Sequence, residues 1–259
     1  MTYTFYKYQG TGNDFIIIDN RHNLISKNDT NLVKLFCDRR FGIGADGLIL
    51  LENHESLDYK MVYFNSDGSE STMCGNGGRC LAAFAKYLGI IDHEAKFQAI
   101  DGIHHASIKD NLVILEMQDV YGIQKFDNHV YLDTGSPHHV QLEDNLEDLD
   151  IITKGSKIRY GEPYTEVGVN VNFVNKINDS TFAVRTYERG VEAETLSCGT
   201  GVTAVALAMN YIGETEKNLI TLNTRGGDLQ VSFERDEKGY KKVCLIGPAK
   251  MVFKGTIEW

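Results

Sequence analysis

The same eight-residue phrase occurs in each half of this 259-residue chain. Glu-x-x-x-Cys-Gly-x-Gly runs from Glu70 to Gly77 and again from Glu194 to Gly201, so the two cysteines, Cys74 and Cys198, are 124 residues apart. A repeat at a fixed offset indicates a duplicated structural unit. The same offset also relates four further pairs: Tyr63 with Tyr187, Tyr87 with Tyr211, Gly89 with Gly213, and Gly102 with Gly226. The sequence therefore predicts two similar halves, related by a pseudo-twofold axis, whose cysteines meet across a cleft.

Composition narrows the class of partner. The chain is 42% hydrophobic and 24% charged with 3 prolines, as expected of a globular protein with its own core. A net charge of -10 argues against a nucleic-acid or anionic-membrane surface, which needs clustered Lys and Arg. No apolar stretch is long enough to span a bilayer, and Met1 to Lys7 alternates like a strand rather than a signal peptide. We expect a cytoplasmic protein that acts on a small molecule.

Strand patterns outnumber helix patterns. Helical spacing is present from Asn31 to Arg39 after a Thr30 cap, from Gly77 to Leu88, and from Gly201 to Ile212. The last two are equivalent in the repeat and rich in small apolar residues, which is typical of a core helix. Alternating or β-branched runs predict the strands Thr2–Lys7, Phe15–Asp19, Leu48–Leu51, Lys60–Phe64, His105–Lys109, Leu112–Met117, Thr181–Tyr187, Leu229–Glu234 and Lys242–Leu245, with turns at Asp110-Asn111 and Asp236–Gly239.

These patterns predict an α/β (α+β) protein of two pseudo-symmetric halves. Each half is expected to be a curved, mostly antiparallel sheet or barrel around a central helix, with the active site in the cleft between the halves. The predicted N-terminal domain covers 1–122 and carries Cys74, and the C-terminal domain covers 123–248 and carries Cys198. The last segment, 249–259, is strand-like and is expected to return to the first half.

The two repeated cysteines predict acid–base chemistry. Each precedes Gly-x-Gly and a helix, so its sulfur lies at the positive end of a helix dipole, which favours the thiolate. Two such thiols on opposite faces of one cleft suit a racemase or epimerase, because one removes a proton and the other returns one. The five cysteines are expected to be reduced, and Cys37 and Cys244 to be buried small hydrophobes without a role. Five residues separate Cys74 from Cys80, which does not match zinc-ligand spacing, so no metal is predicted.

Nearly end to end, the chain resembles the diaminopimelate epimerase family. The motifs that carry the resemblance are Gly10-Thr11-Gly12-Asn13-Asp14-Phe15, Arg40 to Gly47, Phe64 to Glu70, Cys74-Gly75-Asn76-Gly77-Gly78-Arg79-Cys80, Gly135-Ser136-Pro137-His138, Asn170-Val171-Asn172-Phe173, Tyr187-Glu188-Arg189-Gly190, Glu194 to Gly201, and Gly247-Pro248-Ala249. The resemblance implies a cofactor-independent isomerase that needs no pyridoxal phosphate, interconverts LL- and meso-diaminopimelate in lysine and peptidoglycan-precursor biosynthesis, and forms a homodimer.

The resemblance also implies roles for individual residues. Cys74 and Cys198 would be the acid–base pair, exchanging roles with the direction of reaction, and His138 and Glu188 would assist the thiols. The remaining residues would bind a substrate that carries two amino groups and two carboxylates. That binding set is Asn13, Asn65, Asn170, Glu188 and Arg189, with the backbone of Gly75-Asn76 and Gly199-Thr200.

Three positions depart from the family pattern. Ser136 stands where many members have Asn, and Gly47 stands where some have Gln, so each change removes a side-chain contact to substrate. The phrase from Arg189 to Thr195 is one residue longer than usual, because Glu192-Ala193 replace a single Gly. Asn172 could replace a lost amide contact, but it is interpreted as a strand-end Asn that satisfies its own turn.

Two alternatives stay open at this stage. One is a two-cysteine epimerase of the same fold that acts on proline or hydroxyproline, which Asn13, Asn65 and Glu188-Arg189 disfavour because they suit a longer substrate. The other is a non-catalytic amino-acid-binding protein in which the cysteines are incidental. Isotope exchange at the α-carbon distinguishes all three.

Overall fold

A computed structural model describes residues 2–258, so Met1, where the strand-like start of the chain begins, and Trp259, the last residue of the predicted segment 249–259, lie outside the described residues. In chain order the helices are α1 Thr30–Cys37, α2 Gly75–Tyr87, α3 Ile151–Tyr160 and α4 Gly199–Tyr211. The strands are β1 Thr2–Gly10, β2 Asn13–Asp19, β3 Gly47–Glu52, β4 Tyr59–Asn65, β5 Glu70–Ser71, β6 Glu94–Ala99, β7 Gly102–Lys109, β8 Leu112–Glu116, β9 Val120–Tyr121, β10 Gln124–Lys125, β11 Val130–Asp133, β12 Pro137–Leu142, β13 Asn170–Asn178, β14 Thr181–Glu188, β15 Ala193–Thr195, β16 Leu219–Thr224, β17 Gly227–Arg235, β18 Gly239–Pro248 and β19 Lys250–Glu258.

The predicted helices form, and their first residues need correction. α1 is capped by Asp29, whose side chain accepts a hydrogen bond from the Leu32 N–H, so the predicted Thr30 cap is wrong by one residue. α2 and α4 each begin two residues earlier than predicted, at the glycine directly after the cysteine. Cys74 and Cys198 are therefore themselves the residues that precede the first helical turn.

Sequence periodicity does not predict the helix α3, because its sequence is weakly amphipathic. Only Ile151 and Gly155 are buried in it, and its apolar residues Ile152 and Tyr160 are exposed. Gly155 permits close packing on β14, since a Cβ at this position would lie 2.5 Å from Tyr187 Cβ. Its N-cap Asp150 accepts a hydrogen bond from the Thr153 N–H at 3.0 Å, which is the local signal for its start.

Contacts divide the chain into two compact units, one formed by the residues up to Leu115 with those from Gly247 onward, the other by Glu116–Ile246. In the first unit β1 pairs antiparallel with β2 and with β19, and β2 runs parallel to β3. β3 pairs with β4, which lies antiparallel to β5 and parallel to β6, and β6, β7 and β8 follow as a meander. The β7–β8 hairpin turns at Asp110 and Asn111, both with positive φ, as predicted.

The second unit repeats this order of pairings. β12 runs parallel to β13 with α3 between them in the chain, as β2 and β3 do with α1. β14 then pairs antiparallel with β15 and parallel with β16, and β16, β17 and β18 form a meander. The sequence repeat thus corresponds to a repeat of strand order, including the helix α3 that the local pattern failed to show.

Each unit buries in its core the helix that directly follows its repeated cysteine. Ten of the 13 residues of α2 and 11 of the 13 of α4 are buried, and α4 has no charged residue. Burial on every side of a helix requires apolar or small residues all round it. The predicted fold class, mostly antiparallel sheet around a central helix in each of two similar units, is confirmed. Between residues 2 and 258, no helix is long and apolar enough to span a membrane.

Candidate active site

Cys74 and Cys198 hold equivalent places at the N-termini of α2 and α4. Both have extended backbone angles, and neither side chain caps its helix through a hydrogen bond. The first helical bonds are made by the Gly78 N–H to the Cys74 carbonyl at 2.7 Å and by the Val202 N–H to the Cys198 carbonyl at 2.9 Å. The N–H groups of a first helical turn have no acceptor within the helix, and the dipole is positive there, so both sites stabilise an anion.

The other three cysteines lie in environments that keep them protonated. Burial raises the pKa of Cys37 and of Cys80 to about 12, and it also raises the pKa of Cys244. Cys37 is buried, as predicted, whereas Cys244 is only partly buried. Over residues 2–258, no cluster of three or more His, Cys, Asp or Glu side chains is arranged to hold a metal ion.

In the first unit, two asparagines of the predicted binding set surround Cys74. The Cys74 thiol donates to Asn13 Oδ1 at 3.5 Å, and Asn76 Nδ2 donates to the same oxygen at 3.2 Å. Asn13 Nδ2 in turn donates to Asp46 Oδ2 at 2.7 Å. Asp46 is itself held by Arg39, whose Nη2 lies 2.7 Å from Asp46 Oδ1. The amide of Asn13 is therefore oriented with its carbonyl oxygen toward the thiol.

Arg79, a residue for which the sequence predicts no role, supports these asparagines from inside α2. Its side chain is fully buried, and its Nη2 donates to Asn76 Oδ1 at 2.8 Å while its Nη1 donates to the Gly75 carbonyl at 3.3 Å. Burial lowers the pKa of Arg79 to about 10, although the neighbouring Cys80 and Cys74 favour its charge. The signal that could have identified it is a charged residue in the middle of an otherwise small and apolar helix.

Asn65 and Gly47 lie on paired strands of the same unit. Asn65 ends β4, where its backbone N–H donates to the Ser69 carbonyl at 3.0 Å and its side chain approaches Ser69 Oγ at 3.5 Å. Gly47, opposite it on β3, has no room for a side chain, because a Cβ there would lie 2.6 Å from the Tyr63 ring and from the Phe64 carbonyl. Gly47 thus departs from the family pattern at a position where the Tyr63 ring occupies the space that a side chain would need.

In the second unit, the parallel pairing of β12 with β13 places His138 opposite Asn170. His138 is fully buried, and burial, with the Arg189 charge second, lowers its pKa to about 3, so its ring is neutral. Asn172 Nδ2 lies 3.0 Å from His138 Nδ1, and Ser136 Oγ lies 3.0 Å from His138 Nε2. Asn172 is thus a buried partner of His138 within β13, and its interpretation as a strand-end Asn bonded to its own turn is wrong.

Ser136 and the Thr200 side chain join His138 to the second cysteine. Ser136 Oγ donates to Thr200 Oγ1 at 3.3 Å, and Thr200 Oγ1 lies 3.4 Å from Cys198 Sγ. From the sequence, Ser136 is expected only as a lost contact to substrate and Thr200 only as a backbone donor, so the role of both hydroxyls is new. Neither hydroxyl has a distinctive local pattern, and their connection depends on one contact between residues 64 apart in the chain, the Ser136–Thr200 hydrogen bond.

Glu188 and Arg189 stand where β14 ends and a tight turn begins. The Arg189 N–H donates to Asn170 Oδ1 at 2.9 Å, and its Nη1 donates to the Val167 carbonyl at 3.0 Å. The extra residue of this chain is accommodated at Glu192, which has a positive φ of 57°. Its carboxylate accepts hydrogen bonds from the Gly190 N–H at 3.0 Å and from the Tyr187 hydroxyl at 3.1 Å, so the longer turn is fixed by its own side chain.

Stability should fall as the solution becomes acidic. The pKa of His138 is about 3, and burial, followed by the charge of His129, lowers the pKa of His139 to about 4. In the unfolded chain both rings take up protons near pH 6.5, so their stabilisation is complete above that pH and is lost as the pH falls toward 4. Each histidine contributes a slope of about 1.4 kcal/mol per pH unit in this window.

Urea unfolding at several pH values between 7 and 4.5 measures this slope. His139→Gln should lower the slope by about 1.4 kcal/mol per pH unit, because the contribution of His139 is lost while burial still lowers the pKa of His138 and of His129. An unchanged slope in that variant would contradict the assignment of His139.

Fold and thiols together define a class. The protein is a duplicated α/β fold that presents one cysteine at the start of the central helix of each half. Solved structures share the fold over nearly the whole chain. A PhzF-family phenazine biosynthesis protein from Bacillus anthracis matches with a TM-score of 0.77 and 13% identity over 100% of both chains. A hydroxyproline epimerase from Agrobacterium vitis matches with a TM-score of 0.68 and 13% identity over 99% of this chain and 92% of that one.

Sequence comparison places the chain within this class. Residues 5–121 and 130–252 match the family model described as diaminopimelate epimerase. A diaminopimelate epimerase from Flavobacterium psychrophilum is 58% identical over 97% of this chain and 99% of its own length. One from Chlorobaculum tepidum is 40% identical over 96% of this chain and 98% of its own length. The chain belongs to the diaminopimelate epimerase family.

Proposed function

We propose that this protein interconverts LL- and meso-diaminopimelate, without a cofactor, by a two-thiol mechanism. The observation that carries the substrate is the 58% identity to a relative of that name over 97% of the chain. The observation that carries the mechanism is the equivalent position of Cys74 and Cys198 at the N-termini of two buried helices. Each cysteine supplies one acid–base group.

The proton balance of such a reaction requires one thiolate and one thiol. The thiolate forms an S–H bond with the α-proton as the C–H bond breaks. The electron pair of that C–H bond stays on the α-carbon. The thiol on the other face then donates its proton to that carbon and becomes the thiolate. Turnover therefore leaves the pair with its protons exchanged, and the reverse reaction uses the same groups in opposite roles.

The helix N-termini supply the electrostatic stabilisation. As the α-proton leaves, negative charge spreads into the adjacent carboxylate of the substrate. N–H groups of a first helical turn, with the positive end of the dipole behind them, stabilise that developing charge. We assign this role to the backbone of Gly75-Asn76 and Gly199-Thr200, which follow the two cysteines directly.

The remaining site residues are proposed to bind substrate or assist the thiols. His138 and Glu188 assist the cysteines, His138 as a neutral ring because burial lowers its pKa to about 3. Substrate contacts are assigned to Asn13, Asn65, Asn170, Glu188 and Arg189. Lysine and peptidoglycan-precursor biosynthesis, a cytoplasmic location and a homodimer are proposed with the same function.

Exchange at the α-carbon tests the proposal. Incubated with LL-diaminopimelate in D2O, the protein should form the meso isomer and place one deuterium at the inverted α-carbon, as measured by mass spectrometry and NMR. Proline and hydroxyproline are the comparison substrates, and no exchange is expected with them. If proline or hydroxyproline exchanges and diaminopimelate does not, the protein is a proline-type epimerase. If none of the three exchanges, the protein is a non-catalytic binding protein.

A further inference from the structure

The hydrogen bonds around His138 have a direction that backbone groups determine. Asn170 accepts the Arg189 N–H through Oδ1 and donates through Nδ2 to the Pro137 carbonyl at 3.2 Å. Asn172 donates through Nδ2 to the His139 carbonyl at 3.1 Å. A backbone N–H only donates and a carbonyl only accepts, so both amide groups have one allowed orientation.

These amides in turn determine the tautomer of His138. Asn172 Nδ2 is a donor and lies 3.0 Å from His138 Nδ1, so Nδ1 carries the lone pair. The buried ring is neutral, and its single N–H is therefore at Nε2. That N–H donates to Ser136 Oγ, 3.0 Å away.

Ser136 Oγ has one proton left to give. It accepts from His138 Nε2 and, at 3.2 Å, from Asn170 Nδ2, which fills both lone pairs of a hydroxyl oxygen. Its own proton is directed to Thr200 Oγ1 at 3.3 Å. Thr200 is held in place by the Thr134 hydroxyl, which donates to the Thr200 carbonyl at 2.9 Å.

The Thr200 hydroxyl, the last of the series, is in a position to donate to the sulfur. Because Thr200 Oγ1 accepts from Ser136, its own proton is available to Cys198 Sγ, 3.4 Å away. A hydroxyl that donates to sulfur stabilises the thiolate, since hydrogen bonds to an ionised partner are stronger than neutral ones. The thiol of the first unit meets the opposite situation, because its partner Asn13 Oδ1 is an acceptor.

We propose that Ser136 and Thr200 are positioning residues that form a directed hydroxyl relay from His138 to Cys198 and stabilise the thiolate of Cys198. The relay depends on Ser136, one of the positions at which this chain departs from its family's pattern. A hydroxyl oxygen can accept two hydrogen bonds and donate a third. An amide in the same place accepts through its oxygen and donates through its nitrogen, so no single atom does both. The effect of the relay on turnover rests on the proposed function. Its effect on the ionisation of Cys198 does not.

Ultraviolet absorbance of the thiolate, followed by titration in a Cys74→Ala background, tests the relay without substrate. Within the relay His138 stays neutral, because burial and then the Arg189 charge lower its pKa to about 3, and the three remaining thiols ionise only at high pH because burial raises the pKa of each. Thr200→Val removes the donor at nearly constant volume and should lower the ionisation constant of Cys198 about tenfold. Ser136→Ala should act in the same direction.

Two control variants separate the relay from a change in packing. Thr200→Ser keeps the hydroxyl and should restore the wild-type titration. Thr203→Val makes the same change one helical turn later, where the hydroxyl donates to the Gly199 carbonyl at 2.9 Å, and should leave the titration unchanged. The relay is refuted if Thr200→Val and Thr203→Val titrate alike, or if Thr200→Ser fails to restore the thiolate. A protein that passes this test but exchanges no diaminopimelate would retain the relay and lose the proposed function.

Discussion

Replacing either Cys74 or Cys198 with alanine should lower turnover of diaminopimelate by about 10³-fold or more, because each half-reaction then lacks its acid or its base. The two losses should be similar, since a two-base mechanism needs both groups in each direction. Folding should be nearly unaffected, because each substitution removes one sulfur atom at the end of a helix and changes the free energy of unfolding by about 1 kcal/mol or less. Steady-state kinetics and urea unfolding on the same preparations measure both quantities.

Cys244→Ala is the matched control. Cys244 lies on β18 and burial raises its pKa, so it should contribute nothing to the chemistry. This variant should keep wild-type turnover with a similar small change in stability. A Cys74→Ala or Cys198→Ala protein that retains a tenth of wild-type turnover would rule out a mechanism in which both thiols move protons.

Local sequence was sufficient to find both central helices because their signals are strong. Each combines a run of small apolar residues with a preceding Gly-x-Gly, and burial on every side of α4 demands such a composition. The helix α3 lacks this pattern, since only Ile151 and Gly155 contribute buried surface. The repeat offset contained the missing information: 124 residues after Thr30, where α1 begins, lies Lys154 within α3.

The sequence predicts which residues form the candidate site, but it does not predict the hydrogen bonds that join them. The motifs named Cys198, His138 and Asn170, but the hydrogen bonds that join them depend on the register of β12 against β13, which sets His138 opposite Asn170. A slip of one residue would turn each side chain to the other face of the sheet. Sequence periodicity does not contain that register, so the roles of Ser136 and Asn172 required the structure.

Arg79→Met should lower turnover about tenfold or more without destabilising the fold. Among residues 2–258, no carboxylate forms an ion pair with the buried guanidinium, its Nε has no hydrogen-bond partner, and burial lowers its pKa to about 10. A buried charge of this kind costs folding free energy, so an apolar side chain of similar length should leave the free energy of unfolding equal or higher by about 1 kcal/mol. Turnover should fall because Arg79 orients Asn76, and Asn76 orients the Asn13 oxygen that faces Cys74.

Arg185→Met provides the contrast, because that arginine is matched to a carboxylate. Arg185 Nε and Nη2 bind the two oxygens of Glu194 at 2.7 and 2.8 Å, and both side chains are largely buried. Removing this arginine leaves Glu194 with Arg225 alone, whose Nε lies 3.2 Å from Glu194 Oε1, and should lower the free energy of unfolding by about 2 kcal/mol.

If Arg79→Met instead destabilises the protein as much as Arg185→Met and keeps wild-type kcat, Arg79 is a packing residue of α2. If Arg79→Met keeps the stability of the wild type and lowers kcat, the buried charge serves the chemistry of Cys74. The free energy that its burial costs is then not offset by any gain in stability.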